Sequence, residues 1–195
     1  MKDLTTCDWT REYFLKNRRL IILLAGTLLM TAVMTIHGAP LKTPGTPKGI
    51  LNLEFAYNTA QAASVLNAWA ATSNTNNVFQ AKMNTWLDFI YLFFYSLFFF
   101  HACQLLASSF SGIIQITGSL LAKGALIAGM LDILENTGML LTLNGHLSQY
   151  TTLLTFIFSI SKWILVIAAI LYVALMGSLL VRRKYGKFHR INFAI

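Results

Sequence analysis

Four stretches of the chain are continuously apolar, at about residues 20–37, 86–108, 120–143 and 151–181. Each lies near or above the ~18 residues that mark a membrane-spanning helix. The fourth is roughly 30 residues long, more than a bilayer core needs, so it is expected to tilt or to run on into the cytoplasm. The run from Ser111 to Ser119 reads as an extension of the third span. The first span follows the basic stretch Lys16-Asn17-Arg18-Arg19 in the manner of a signal peptide. His37 occupies the place where a cleavage site needs a small residue, and Pro40 follows Ala39, so an uncleaved anchor helix is expected.

A polar connection, about residues 38–85, joins the first two spans. It opens with Pro40, Pro44 and Pro47, the only prolines in the chain. Proline fixes its own φ and disfavours helix in the residue before it, which predicts an extended segment. From Gly49 to Trp69 the period changes. Leu51, Phe55, Ala62, Leu66 and Trp69 fall on one helical face, and Glu54, Asn58 and Gln61 on another. This predicts an amphipathic helix, lying at the interface or packed on the bundle. Ser73 to Asn77 reads as a polar turn. The expected fold class is all-α: a single membrane domain over 1–195, an integral membrane four-helix bundle with an extra amphipathic interfacial helix in the first outer loop. Trp86 and Tyr150 are placed as aromatic belt residues. The absence of an internal sequence repeat argues against an inverted-repeat transporter.

Composition narrows the function classes. Hydrophobic residues make up 56% of the chain and charged residues only 11%, with a mean hydropathy of +0.60, where a soluble domain carries about 25% charged residues. So few charges cannot cover a water-facing surface, which excludes a soluble enzyme, a disordered tail and a nucleic-acid module, and makes the lipid bilayer the first partner. The net charge of +8 resides mostly at the two ends. Lys2, Arg11, Lys16, Arg18 and Arg19 precede the first span, and Arg182, Arg183, Lys184, Lys187 and Arg190 follow the last. The outer loops hold only Lys42, Lys48 and Lys82, so the positive-inside rule puts both termini in the cytoplasm. The basic clusters are also placed to meet anionic headgroups, at about 1 kcal/mol per residue. The two cysteines, Cys7 and Cys103, form no CxxC, which excludes thiol-disulfide chemistry and a disulfide framework.

The candidate chemistry is in the polar residues of the spans. A charge at the bilayer centre costs about 2.5–3.5 kcal/mol on insertion scales, so such residues are functional candidates. Asp132, Glu135 and Asn136 follow one another at i, i+3, i+4 and share a face with Ala125, Ala128 and Gly129. Small residues admit a neighbouring helix, so this stripe points into the bundle. In the fourth span Thr152, Thr155, Ser159 and Lys162 form a second stripe. At 1.5 Å per residue, Lys162, Asp132 and Glu135 lie about 16, 16 and 12 Å below the outer helix ends, which predicts that Lys162 pairs with Asp132 or Glu135. One lysine cannot neutralise two carboxylates, so either one carboxyl carries a proton or another cation is present. Asp88, Tyr91 and Tyr95 form one face of the second span, and Glu54 is expected to cap the outer mouth. Together these acids and Lys162 would line a polar cleft open to the outside. The bland alternatives are a registry pair between helices for Lys162, a helix-start residue in the favourable dipole field for Asp88, a satisfied bundle histidine for His101, and a snorkelling side chain for Lys123.

The phrases Leu53-Glu54-Phe55-Ala56, Leu87-Asp88-Phe89 and Leu131-Asp132-Ile133-Leu134-Glu135-Asn136, with a lysine in the last span, resemble a family of bacterial four-span membrane proteins. That family has an FELA-like phrase in its first outer loop and LDxxEN in its third span. Here leucine stands where the family usually has the first phenylalanine. The resemblance covers about Pro40 to Lys162. It implies a bacterial inner membrane and no particular activity, and it directs attention to Glu54, Asp88, Asp132, Glu135, Asn136 and Lys162. Three functions fit the residues. The first is a non-enzymatic accessory or ligand- or lipid-binding protein, alone, as a homo-oligomer, or with another membrane protein. The second is a proton- or cation-coupled carrier using Asp132, Glu135 and Lys162. The third is an enzyme with Asp132 and Glu135 as acid and base. The chain has no nucleophile motif, phosphate loop, cofactor fingerprint or HExxH metal signature, so the first is preferred.

Overall fold

The structure, a computed structural model, describes residues 18–71 and 76–192, with 184–192 as backbone only. Cys7, the basic residues Lys2, Arg11 and Lys16, and most of the turn at Ser73–Asn77 lie outside the described residues. The described chain is all-α, with six helices in the order α1 (Arg18–Gly38), α2 (Leu51–Glu54), α3 (Thr59–Ala70), α4 (Asn77–Ala107), α5 (Ile113–Leu143) and α6 (Gln149–Asn192). Four of them, α1, α4, α5 and α6, are long and apolar enough to cross a membrane.

The long helices satisfy their backbone internally, as an apolar solvent requires. Their hydroxyls do the same. Thr27, Thr31 and Thr35 donate to the carbonyls four residues back at 2.7–2.8 Å. Cross-helix pairs fix the directions. Thr31 meets Tyr91 and His37 meets Gln80, so α1 and α4 are antiparallel. Tyr95 meets Asp132 and Asp88 meets Asn136, so α4 and α5 are antiparallel. Gly118 lies against Tyr172 and Gly138 against Thr155, so α5 and α6 are too. Helix α4 also touches α6, so α4, α5 and α6 enclose the interior, and α1 stands against α4 at the side. The stripe Ala125, Ala128 and Gly129 is buried. A Cβ on Gly129 would lie 2.9 Å from the Cβ of Ser96, so α4 and α5 approach there as closely as their backbones permit. Between α5 and α6, Gly145 takes φ 90°, and His146 N–H donates to the Leu141 carbonyl at 3.0 Å and Gly145 N–H to that of Thr142 at 3.1 Å. This left-handed cap closes the helix in two residues and turns the chain straight back.

One boundary differs from the expected spans with consequences. Helix α4 begins at Asn77, capped by the Asn76 side chain on Phe79 N–H, rather than near Trp86. Asp88 is therefore three turns inside a helix, not a helix-start residue, and the dipole account of it falls. The 31-residue length of α4 and of α5 spans about 46 Å, well beyond a ~30 Å hydrocarbon core.

The outer connection is not the extended segment and single helix expected. Pro40 sits in the first turn of a 3₁₀ helix at Ala39–Leu41. Pro44 is the second residue of a tight turn in which the N–H groups and carbonyls of Thr43 and Thr46 pair with each other. A φ fixed near −65° suits a turn as well as an extended chain. The amphipathic segment breaks after Glu54. Asn58 is extended and caps α3, its side chain accepting from Gln61 N–H at 2.9 Å, while the Gln61 side chain accepts from Tyr57 N–H at 3.1 Å. That local competition ends α2. The break re-aims the faces: Leu53 and Glu54 are buried, whereas Phe55 is left 37% exposed. The segment packs on the bundle as a lid. Leu41, Leu53, Val65 and Trp69 share one apolar cluster with Ala81 of α4 and Met139 and Leu143 of α5. Trp69 Nε1 donates to the Leu41 carbonyl at 2.9 Å, tying the two ends of the lid together.

Candidate functional site

Lys162 comes from α6, two turns below Thr155 on the buried stripe of Thr152, Thr155 and Ser159. Its ammonium lies 2.6 Å from Asp132 Oδ1 and 2.8 Å from Glu135 Oε2, so it pairs with both acids of α5, and 3.9 Å from Glu54 Oε2 of the lid. All four residues are at most 7% exposed. A second layer orients them. Tyr95 hydroxyl donates to Asp132 Oδ2 at 2.7 Å. Ser159 hydroxyl and Trp163 Nε1 donate to Glu54 Oε2 at 3.5 and 3.4 Å. Asn136 Nδ2 donates to Asp88 Oδ2 at 2.8 Å. Tyr91 stacks obliquely on Tyr95, ring centroids 5.3 Å apart. Every sequence-singled site residue is thus in one neighbourhood: Glu54, Asp88, Tyr91, Tyr95, Asp132, Glu135, Asn136, Ser159 and Lys162.

The α4 boundary explains how Asp88 joins. It lies about 16 Å below the start of its helix, level with Asp132, about 16 Å below the end of α5, and close to Lys162, about 20 Å below the start of α6. Helix rotation does the rest, since Asp132, Glu135 and Asn136 share the buried stripe of α5.

The charges do not balance. Of the seven acidic residues in the chain, Asp3, Asp8 and Glu12 precede the described residues, and the other four (Glu54, Asp88, Asp132, Glu135) all gather here. One ammonium faces them. Glu135 is wholly buried; its Oε2 meets the Lys162 ammonium, and its Oε1 has no donor among the described residues. Burying an uncompensated charge costs several kcal/mol, so the surplus must be met by protons or by a cation. Among the described residues no group of three or more His, Cys, Asp or Glu side chains has the arrangement to hold a metal ion.

A cavity of about 270 Å³ adjoins the cluster. Its polar wall is Asp88, Tyr91, Tyr95, Asp132, Asn136 and Lys162; Ile50 and Glu54 of the lid line it too, where the sequence reading has the cleft open to the outside. Asn84 and Thr85 of α4 also border it, and a mainly apolar wall runs between α1 and α6, with Thr27 and Met34 on one side and Trp163, Val166 and Ile170 on the other. Sequence reasoning did not single out these residues. Trp163 carried a signal, as the lone indole of its span beside Lys162; the α1 residues carried none, because only packing decides which of their faces meets the site. His101 and Gln104 lie elsewhere, His101 half-buried with its ring edge-on to Phe100 and Gln104 exposed. Lys123 is exposed.

The arrangement can hold a polar group at the carboxyl side and an apolar tail between α1 and α6. No family model, curated protein or solved structure matches the chain.

Proposed function

We propose that this chain is a non-enzymatic, ligand-binding membrane protein, whose cavity receives a small amphiphile with its polar end at the acid–lysine cluster. The observation that carries the reading is the union of an apolar wall between two membrane-length helices and a wall holding three carboxyls (Glu54, Asp88 and Asp132) and one ammonium, with Glu135 behind it on Lys162. A registry pair needs one acid and one base and no adjoining space. The resemblance of the LDxxEN phrase and the basic flanks supports a setting in a bacterial inner membrane with both termini cytoplasmic. Assembly as a homo-oligomer or with another membrane protein is compatible with the exposed apolar faces of the helices.

The test uses eight-carbon amphiphiles of different head groups titrated onto the full chain in lipid nanodiscs, followed by thermal shift. Saturable stabilisation by at least one of them, abolished by Val166→Trp, which fills the cavity, is the expected result. No saturable binding, or binding indifferent to Val166→Trp, overturns the reading.

The acid surplus also supports a second reading, a proton- or cation-coupled carrier in which Asp132 and Glu135 hold the transported charge and Lys162 competes for them. Proton flux into liposomes that depends on pH and disappears in Asp132→Asn is its expected signature; flux that persists in that variant rules out the assignment.

A further inference from the structure

Resting on the amphiphile-binding reading, we propose that the ligand is an organic ammonium ion with a short apolar tail, held by Asp88. Three observations converge. First, Lys162 already has Asp132 and Glu135 as close partners, at 2.6 and 2.8 Å, with Glu54 next at 3.9 Å. Asp88 has no cationic partner among the described residues; only the neutral Asn136 amide donates to it, through Oδ2, at 2.8 Å. Its carboxylate borders the cavity and is only partly buried, so its other oxygen is the group left for a cation. Second, the cluster is acid-rich: an incoming anion would add to a formal surplus, whereas an ammonium reduces it, which sets the sign of the ligand's charge. Glu135, wholly buried, meets Lys162 through Oε2 alone, and its Oε1 has no donor among the described residues. Third, Tyr91 and Tyr95 follow Asp88 along the cavity wall, with Phe99 one turn beyond them, and aromatic rings attract an organic cation where a hydrated metal ion would not use them.

Size admits a short tail. At about 30 Å³ for a water-sized group, a cavity of about 270 Å³ has room for at least about nine heavy atoms, enough for an ammonium nitrogen and a chain of about eight carbons. The apolar residues between α1 and α6 place that chain at the level of the spans, so the ligand is a lipid-soluble amine rather than a water-soluble polycation.

The experiment compares octylammonium, 1-octanol and octyl sulfate on the full chain in nanodiscs, by titration calorimetry, with the Val166→Trp signal subtracted as partition into lipid. Octylammonium is expected to bind roughly tenfold or more tighter than octanol, and octyl sulfate weakest of the three, the size of effect one charge-assisted hydrogen bond supplies. Asp88→Asn should remove that advantage, and Asp88→Glu should restore a preference for the ammonium. Octanol or octyl sulfate binding as tightly as octylammonium in the wild type overturns the ammonium assignment, as does an Asp88→Asn protein that retains the preference; in both cases binding lost in Val166→Trp leaves the amphiphile reading standing. Should Asp88→Asn fail to fold, the head-group order of the wild type decides alone. Binding of all three that ignores Val166→Trp sinks the amphiphile reading itself.

Discussion

Replacing Lys162 by methionine keeps most of the length of the side chain and removes its charge. In the wild type the ammonium holds Asp132 at 2.6 Å and Glu135 at 2.8 Å, with exposures of 1% and 0% for the two acids. The variant leaves both buried without a cation. Breaking a buried pair in this way costs about 3–5 kcal/mol. Tyr95 still donates to Asp132, which keeps the loss toward the low end. At 2–4 °C per kcal/mol for a chain of this size, the melting temperature in detergent should fall by roughly 10 °C. The control is the neutral set Lys162→Met with Asp132→Asn and Glu135→Gln. With the ammonium and its two close partners all neutral, it should recover most of the loss, because a neutral replacement of an ion pair is close to isoenergetic. A Lys162→Met protein that melts within about 2 °C of the wild type would refute the argument that burial makes this pair matter. A neutral triple variant as unstable as the single one would show that the stem of Lys162, not its charge, carries the effect.

Two further outcomes follow from the packing. Gly129→Ala places a Cβ 2.9 Å from that of Ser96, whereas Gly177→Ala meets nothing within 4 Å; the first should destabilise by about 1–3 kcal/mol and the second stabilise by up to about 1 kcal/mol, and equal melting temperatures for the two would contradict the close approach of α4 and α5. Trp69→Phe removes an indole N–H that donates to the Leu41 carbonyl at 2.9 Å and to Thr46 Oγ1 at 3.1 Å; at about 1 kcal/mol for the lost bonds, lid amides from Leu41 to Ala70 should exchange roughly fivefold faster with those of α5 unchanged, and no change in the lid would mean that the apolar cluster alone holds it.

The sequence by itself determined the helical class and the four spans, because an apolar run of such length has no other way to satisfy its backbone in lipid. It also made the polar stripes legible. Asp132, Glu135 and Asn136, and Thr155, Ser159 and Lys162, repeat at the helical period, and equal depth joined Lys162 to the acids of α5. What it could not supply were the places where a local choice depends on distant atoms. The start of α4 at Asn77 is polar in composition, so hydropathy does not register it; there the buried Asn77 and Asn84 side chains donate to the backbone carbonyls of Pro40 and Met34 on the neighbouring outer segment and α1. The break after Glu54 follows from the Asn58 cap and from room in the bundle for an acid beside Lys162. The cavity, too, is a property of how α1 leans on α4 away from α6. Periodicity reports which side of one helix is apolar, whereas the space between two helices is set by the side chains of both, and only the assembled bundle brings the acids of a lid, α4 and α5 to one lysine of α6.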